Sequence, residues 1–439
     1  MDRDEPMKEM SVVGLLGAYE RDNFGDILFL ERTERYLAHS GVVALPLTPF
    51  KSTPELLSRR PAHTLTEASE NGHLDGVWTV GGEVAGVAMY ASYGMLGTLQ
   101  QSAGFSDAPR RVRRRIIRDE SGARLTDLAY LPRMSSRGVL RPLPLVVNSV
   151  GLSGIRSLQR DMRASAETAL READFVSVRD KSSSALLDEL GVPHRLAPDL
   201  VHTLRLDHET WASPQARETA RHSGHVIVQM SEAVLSGRTD ELANALLDAP
   251  ALAGRELRFL PAGTAPRHDS IELYAAVIQA MKSRNPALDA SVSTAVSALE
   301  KAREIATSSL VLGTSLHAMI ISMSFDVPHV GLEIEKVARY ASAWTDPMPT
   351  RVRINDLSSA VDRALALEAR SRDASTGVKL AHAAANNMQD AISAIVSGIS
   401  DSGDRVRNRE ASARRHDRFQ RSPMSLATRA VRYMVRPLS

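Results

Sequence analysis

The chain has no cysteine among its 439 residues, which excludes a thiol nucleophile, a disulfide framework and any cysteine-ligated metal. It also has almost no net charge. Its 54 Lys+Arg stand against 52 Asp+Glu, a formal +2, which argues against a nucleic-acid-binding protein. No apolar run approaches the roughly 18 residues of a membrane-spanning helix. The charged start Met1-Asp2-Arg3-Asp4-Glu5 is unlike a secretory signal. A soluble protein of the cytoplasm is therefore expected. Metal-ligand spacings such as His-Glu-x-x-His and the pattern of a Walker loop are missing as well, so no metal and no resident cofactor is expected.

What the chain has is alternation of apolar runs with amphipathic stretches, which predicts an α/β fold with a doubly wound parallel sheet. In the first half, strands are expected at 11–16, 42–45, 76–80, 143–147, 175–178 and 194–196, with helices at 25–39, 85–98, 158–172 and 181–190. The second half repeats the pattern, with strands at 226–230, 256–260, 310–312 and 328–332 and helices at 240–247, 269–282, 296–306 and 315–325. A polar stretch near 206–225 marks the boundary. This gives a first Rossmann-like domain over 1–205, a second over 206–350, helices over 351–400 packing back, and a basic tail over 401–439.

Two arginine-rich stretches break the regularity. Arg110, Arg111, Arg113, Arg114, Arg115 and Arg118 are expected in a loop between a helix and a strand. From Asp401 onward ten arginines face four acidic residues. Such stretches are either solvated basic segments or points of attraction to an anionic membrane face or a polyanionic acceptor.

Several turns at strand ends carry residues suited to chemistry. In Ser309 to Tyr340 a strand, a turn at Gly313 and a helix beginning near Ser315 place His317 at the carboxyl edge of a parallel sheet, where ligands of such folds sit and helix N-termini attract anions. A lone histidine also fits a helix-packing role. The first strand runs into Asn23, Gly25 and Asp26, where the glycine permits close backbone approach and the polar pair can orient hydroxyls or cap the helix. Gly81 and Gly82 follow the third strand in the same manner. Arg179 stands at a strand end beside Asp180 and Ser183. Its guanidinium can grip a carboxylate or phosphate, or pair with Asp180 or Asp199. Asp269 reads as a helix cap, with His268 beside it as a candidate ligand contact.

In this order, the Asn-x-Gly-Asp turn, the Gly-Gly strand end, Val178-Arg179-Asp180-x-x-Ser183 ending in Leu-Gly-Val, Pro198-Asp199, Leu316-His317-Ala318 and Glu335-Lys336 resemble the polysaccharide pyruvyl transferase family over about Val13 to Trp344. The resemblance implies two Rossmann-like domains facing across a cleft, the GT-B arrangement. It implies transfer of an enolpyruvyl unit from phosphoenolpyruvate, as co-substrate, onto a sugar of a cell-surface polysaccharide or exopolysaccharide or its lipid-linked precursor. By position Arg179 would contact the donor and His317 would be the acid or base. Lys336 would add a cation, and peripheral membrane contact through the arginine-rich segments would suit a lipid-linked acceptor. Two positions depart from the pattern: Ser315 stands where many members have arginine, and Glu83 where many have a third glycine. A GT-B glycosyltransferase using a nucleotide sugar is the alternative, and a non-enzymatic glycan-binding descendant is a third reading.

Overall fold

The computed structural model describes residues 10–19, 23–50, 62–72, 74–83, 86–96, 99–133, 143–263, 265, 268–370 and 376–401. Two parallel sheets organise them. The first runs in the order β3 (His63–Thr64), β2 (Val43–Thr48), β1 (Val12–Leu16), β4 (Gly76–Thr79), β6 (Leu145–Gly151), β7 (Phe175–Val178) and β8 (Arg195–Leu196), with β5 (Gly82–Glu83) also pairing with β6. The second runs in the order β11 (Ala290–Val292), β10 (Leu257–Phe259), β9 (Val226–Gln229), β12 (Leu310–Gly313) and β13 (His329–Gly331). In each sheet the strand order reverses direction once, between β1 and β4 and between β9 and β12. Such a reversal leaves a crevice at the carboxyl ends.

Period-2 alternation sends side chains to opposite faces of each strand. Val226, Val228, Leu310 and Leu312 enter a core that belongs to the second sheet. Leu145, Val147, Val176 and Val178 enter one that belongs to the first. The opposite faces meet in a third core that both halves share, holding Val13, Leu15 and Val146 from the first sheet and Ile227 and Val311 from the second. Helix Phe24–His39, helix Leu316–Ser324 and the long helix Thr376–Asp401 supply the filling between them. The connection over 200–223, polar in sequence, is packed: Leu200, Val201, Leu204 and Ala212 join the shared core.

Helix ends follow their caps. Asn23, Asp180, Ser297 and Ser315 each accept a hydrogen bond from a first-turn N–H, and Gly191, with φ 63°, closes helix Lys181–Leu190. Three expectations need correction. The arginine cluster is a helix, Arg110–Ser121, because Ile117 and Ser121 lie four apart on a buried face and Gly122, with φ 69°, ends it. The helix expected over 85–98 is helical only at Met89–Tyr93 among the described residues, ending at Gly94. Asp269 does not cap the next helix, since Ser270 takes that role. Tail residues 402–439 lie outside the described residues.

Candidate active site

The carboxyl ends of both reversal points meet. Phe24 N donates to Ala262 O at 2.9 Å, so the start of helix Phe24–His39, beyond β1, docks on the turn beyond β10. His317 reaches across from the other half. A Cβ at Gly25 would overlap its imidazole, so only glycine leaves room for the ring on the first turn of that helix. Phe29 stands edge-on to it with centroids 4.9 Å apart, and Phe29 in turn lies against Gly81, whose φ is 134°. The two glycine turns therefore fix an aromatic wall for His317.

The histidine is 8% exposed, and its Nε2 finds no hydrogen-bond partner among the described residues. A buried, unsatisfied nitrogen costs about 1–3 kcal/mol, so its retention calls for an explanation. Burial pushes its pKa well below the ordinary value, and the cations Arg179 and Lys336 push it further down. The resting ring is neutral at physiological pH.

Arg179 is not a free cation. Its Nη1 donates to Asp199 Oδ2 at 2.9 Å, both side chains buried, and Asp199 Oδ1 also accepts from Val201 N at 3.0 Å. Only one arm of the fork is engaged this way, and Glu83 stands near the rest of it: the guanidinium feels that carboxylate. Glu83, in turn, accepts from Ser153 Oγ at 2.7 Å and from Gly154 N at 3.2 Å. The residue in place of a third glycine thus occupies the rim of the crevice and brings negative charge to it. Lys336, in the first turn of helix Glu335–Ala343, keeps solvent access. The surrounding walls and Arg179 nonetheless hold its amine below the ordinary pKa, while Asp26, Asp269 and Glu83 oppose them.

Several expected ligand contacts turn out to be structural. Asp180 accepts from Ser183 N and Ser183 Oγ, both at 2.9 Å, and Ser183 Oγ accepts from Leu152 N at 2.9 Å. The pair caps one helix and pins the loop beyond β6, so neither is free for substrate. Asn23 spends its Oδ1 on Gly25 N at 2.9 Å. Gly82 pairs with Val150 as part of β5. Ser315 caps the His317 helix through Ala318 N. Asp26 remains beside Lys336 in the crevice, and the His268 carbonyl accepts from Glu232 N.

Sequence reasoning missed the support beneath His317. Gln229, the last residue of β9, accepts from Thr314 N at 3.1 Å and from Ser315 N at 2.6 Å. Its Nε2 donates to both carboxylate oxygens of Asp269 at 3.0 Å, and Asp269 Oδ2 also accepts from Ala262 N at 2.7 Å. Burial raises the Asp269 pKa to about 6 against the pull of these donors. The turn that presents His317 is therefore clamped to the loop that meets helix Phe24–His39. A polar residue closing the apolar run Val226-Ile227-Val228 was the available signal. Among the described residues no group of His, Asp and Glu could hold a metal ion.

Two parallel α/β halves meeting at their carboxyl edges define a GT-B-like fold. The solved UDP-N-acetylglucosamine 2-epimerase of Rickettsia bellii aligns over 90% of this chain and 99% of its own, with TM-score 0.52 at 10% identity. The UDP-GlcNAc 2-epimerase of Neisseria meningitidis aligns over 90% and 100%, with TM-score 0.48 at 11% identity. At such identities the likeness concerns the fold alone. By sequence, residues 119–335 match the family model described as Polysaccharide pyruvyl transferase, which bears out the resemblance read from the motifs. The matched stretch contains Arg179, Asp180, Ser183, Ser315 and His317. No curated protein matches the chain.

Proposed function

We propose that the protein is a phosphoenolpyruvate-dependent pyruvyl transferase that forms a ketal on a sugar of a polysaccharide or of its lipid-linked precursor. The observation that carries this reading is the buried His317 Nε2, unpartnered among the described residues and flanked by Arg179 and Lys336. A vestigial crevice would be expected to fill such a vacancy with a side chain.

The chemistry sets the proton count. The donor methylene gains one proton to become methyl, two acceptor hydroxyls lose one each as their oxygens bond to the central carbon, and the C–O bond to phosphate breaks, the phosphate leaving with the other proton. One neutral imidazole can take the hydroxyl proton and return it. Burial first, and then the charges of Arg179 and Lys336, depress the His317 pKa. A donor carrying phosphate and carboxylate would offset those cations and raise the pKa, so the ring would be a base before the donor binds and able to hold a proton afterwards. The N-termini of helices Leu316–Ser324 and Glu335–Ala343 would add to the anion's stabilisation.

Thermal melting with phosphoenolpyruvate, set beside a panel of uridine and guanosine diphosphate sugars, tests the donor. Stabilisation by phosphoenolpyruvate together with pyruvate incorporation into acceptor supports the proposal. Stabilisation by a nucleotide sugar alone sinks it in favour of glycosyl transfer, and no response to either class favours a glycan-binding role.

A further inference from the structure

The polypeptide leaves the crevice just beyond Glu83 and returns at β6 after an excursion that includes helices Met89–Tyr93, Leu99–Asp107 and Arg110–Ser121. The last of these carries six arginines against Asp119 and Glu120. It packs through Ile117 and Ser121. Arg110, Arg111 and Arg114 are exposed, and the side chains of Arg115 and Arg118 are 78% and 72% exposed. Asp119 lies 3.4 Å from Arg115 and 3.7 Å from Arg118 and neutralises only part of this charge.

A merely solvated basic helix would expose polar residues beside its arginines. This one exposes Val112, and next to it helix Met89–Tyr93, which packs on it, exposes Tyr90 and the following loop Met95. These are three of the ten exposed large hydrophobic residues among the described residues, lying on the arginine helix, on the helix in contact with it and on the loop that follows. Exposed apolar side chains on elements adjoining an arginine-rich helix fit the boundary between lipid headgroups and acyl chains, where arginines meet phosphates and apolar side chains reach below them. A hydrated polyanion would be matched by the charge but not by the apolar residues. Among the described residues no helix is long and apolar enough to cross a membrane, so attachment would be peripheral.

We propose that the face built by helices Met89–Tyr93 and Arg110–Ser121 docks on an anionic membrane surface, setting the crevice beside the lipid. The test is co-sedimentation of the full chain with phosphatidylcholine vesicles, with and without about 30 mol% phosphatidylglycerol. It needs no donor or acceptor, so it stands or falls apart from the chemistry proposed above. Wild type should partition onto the anionic vesicles only, less so at raised salt. The quadruple replacement Arg111→Gln, Arg114→Gln, Arg115→Gln and Arg118→Gln should weaken partitioning on the order of several hundredfold, since each arginine near the surface contributes about fivefold, with the circular dichroism spectrum unchanged. Val112→Gln should weaken it a fewfold at unchanged charge. Partitioning that is equal on neutral vesicles, or undiminished in the quadruple variant, overturns the proposal. So does binding of a soluble anionic polysaccharide with the same arginine dependence when vesicles are not bound.

Discussion

Two buried histidines lie between the halves of this molecule, and they differ in one respect. His202 is fully satisfied. Ser324 Oγ donates to Ile320 O at 2.7 Å, so it accepts from His202 Nδ1–H at 2.7 Å. His202 Nε2 then accepts from Tyr340 O–H at 2.8 Å, and the Tyr340 oxygen accepts from Asp199 N at 3.0 Å. Burial lowers its pKa to about 3. His317 is also buried and also has a depressed pKa, yet its Nε2 has no partner among the described residues. Burial and a shifted pKa alone therefore do not mark a functional residue. The unmet hydrogen bond, on a ring that feels the cations Arg179 and Lys336, is the discriminating feature.

The sharpest way to break this contrast is to delete each ring. His317→Ala should lower turnover by about a hundredfold or more, as loss of a positioned base does, while circular dichroism stays native. His202→Ala should do the opposite. It leaves Tyr340 and Ser324 without their partner and opens a cavity, costing about 3 kcal/mol in denaturant unfolding, with activity per folded molecule kept. A large stability loss in the first variant with none in the second would reverse the roles.

The next effect concerns the clamp. Gln229→Leu removes the acceptor that holds Thr314 N and Ser315 N and should lower kcat about tenfold with a smaller change in the donor KM, as a shift of about 1 Å at the base would. A change confined to KM would instead place Gln229 on the substrate. Arg179→Lys keeps the charge but loses the fork. Because Arg179 is already paired with Asp199, it should lower stability as well as raise the donor KM, which a donor titration and a melting curve read separately.

A further effect is in the pH dependence of stability. His202 takes up its proton more readily when unfolded, near pH 6.5, than when folded, near 3. Stability should fall as pH drops below about 6.5, by up to 1.4 kcal/mol per pH unit. His329 has the opposite sign. Burial works to lower its pKa, but Asp346, 2.7 Å away, overrides burial and raises it. The stability this contributes is present below the unfolded pKa and is lost as pH rises through the folded one. Urea unfolding of His329→Asn between pH 6 and 9 should therefore show a flatter alkaline limb than wild type.

How far the sequence reached is clearest at particular residues. Most strands with continuous apolar runs were legible within a residue or two, because burial on both faces leaves little else for Val226-Ile227-Val228 to be, whereas β2 and β6 run three and four residues past their expected ends through Pro46 and through Asn148 and Ser149. His317 was legible for the same reason that Gly313 was: both follow a strand end in a parallel pattern. The edge strand Ala290–Val292 is short and half exposed, so it carried no periodic signal. The arginine helix was misread because charge hid its single buried stripe. What lay beyond reach was pairing. The sequence offered Asp180 or Asp199 as partners for Arg179 without choosing between them, and the structure selects Asp199, whereas nothing local says that Gln229 holds a turn eighty-five residues away.

In the proposed reaction a neutral His317, under the influence of Arg179 and Lys336, awaits an anionic donor. Calorimetric titration with phosphoenolpyruvate at constant pH, in two buffers of different ionisation enthalpy, tests it directly. Because the donor should raise the His317 pKa, binding should be accompanied by net proton uptake in wild type, with affinity rising as pH falls, and the uptake should vanish in His317→Ala while binding persists. Binding with no proton uptake, or uptake that the His317→Ala variant retains, would contradict it.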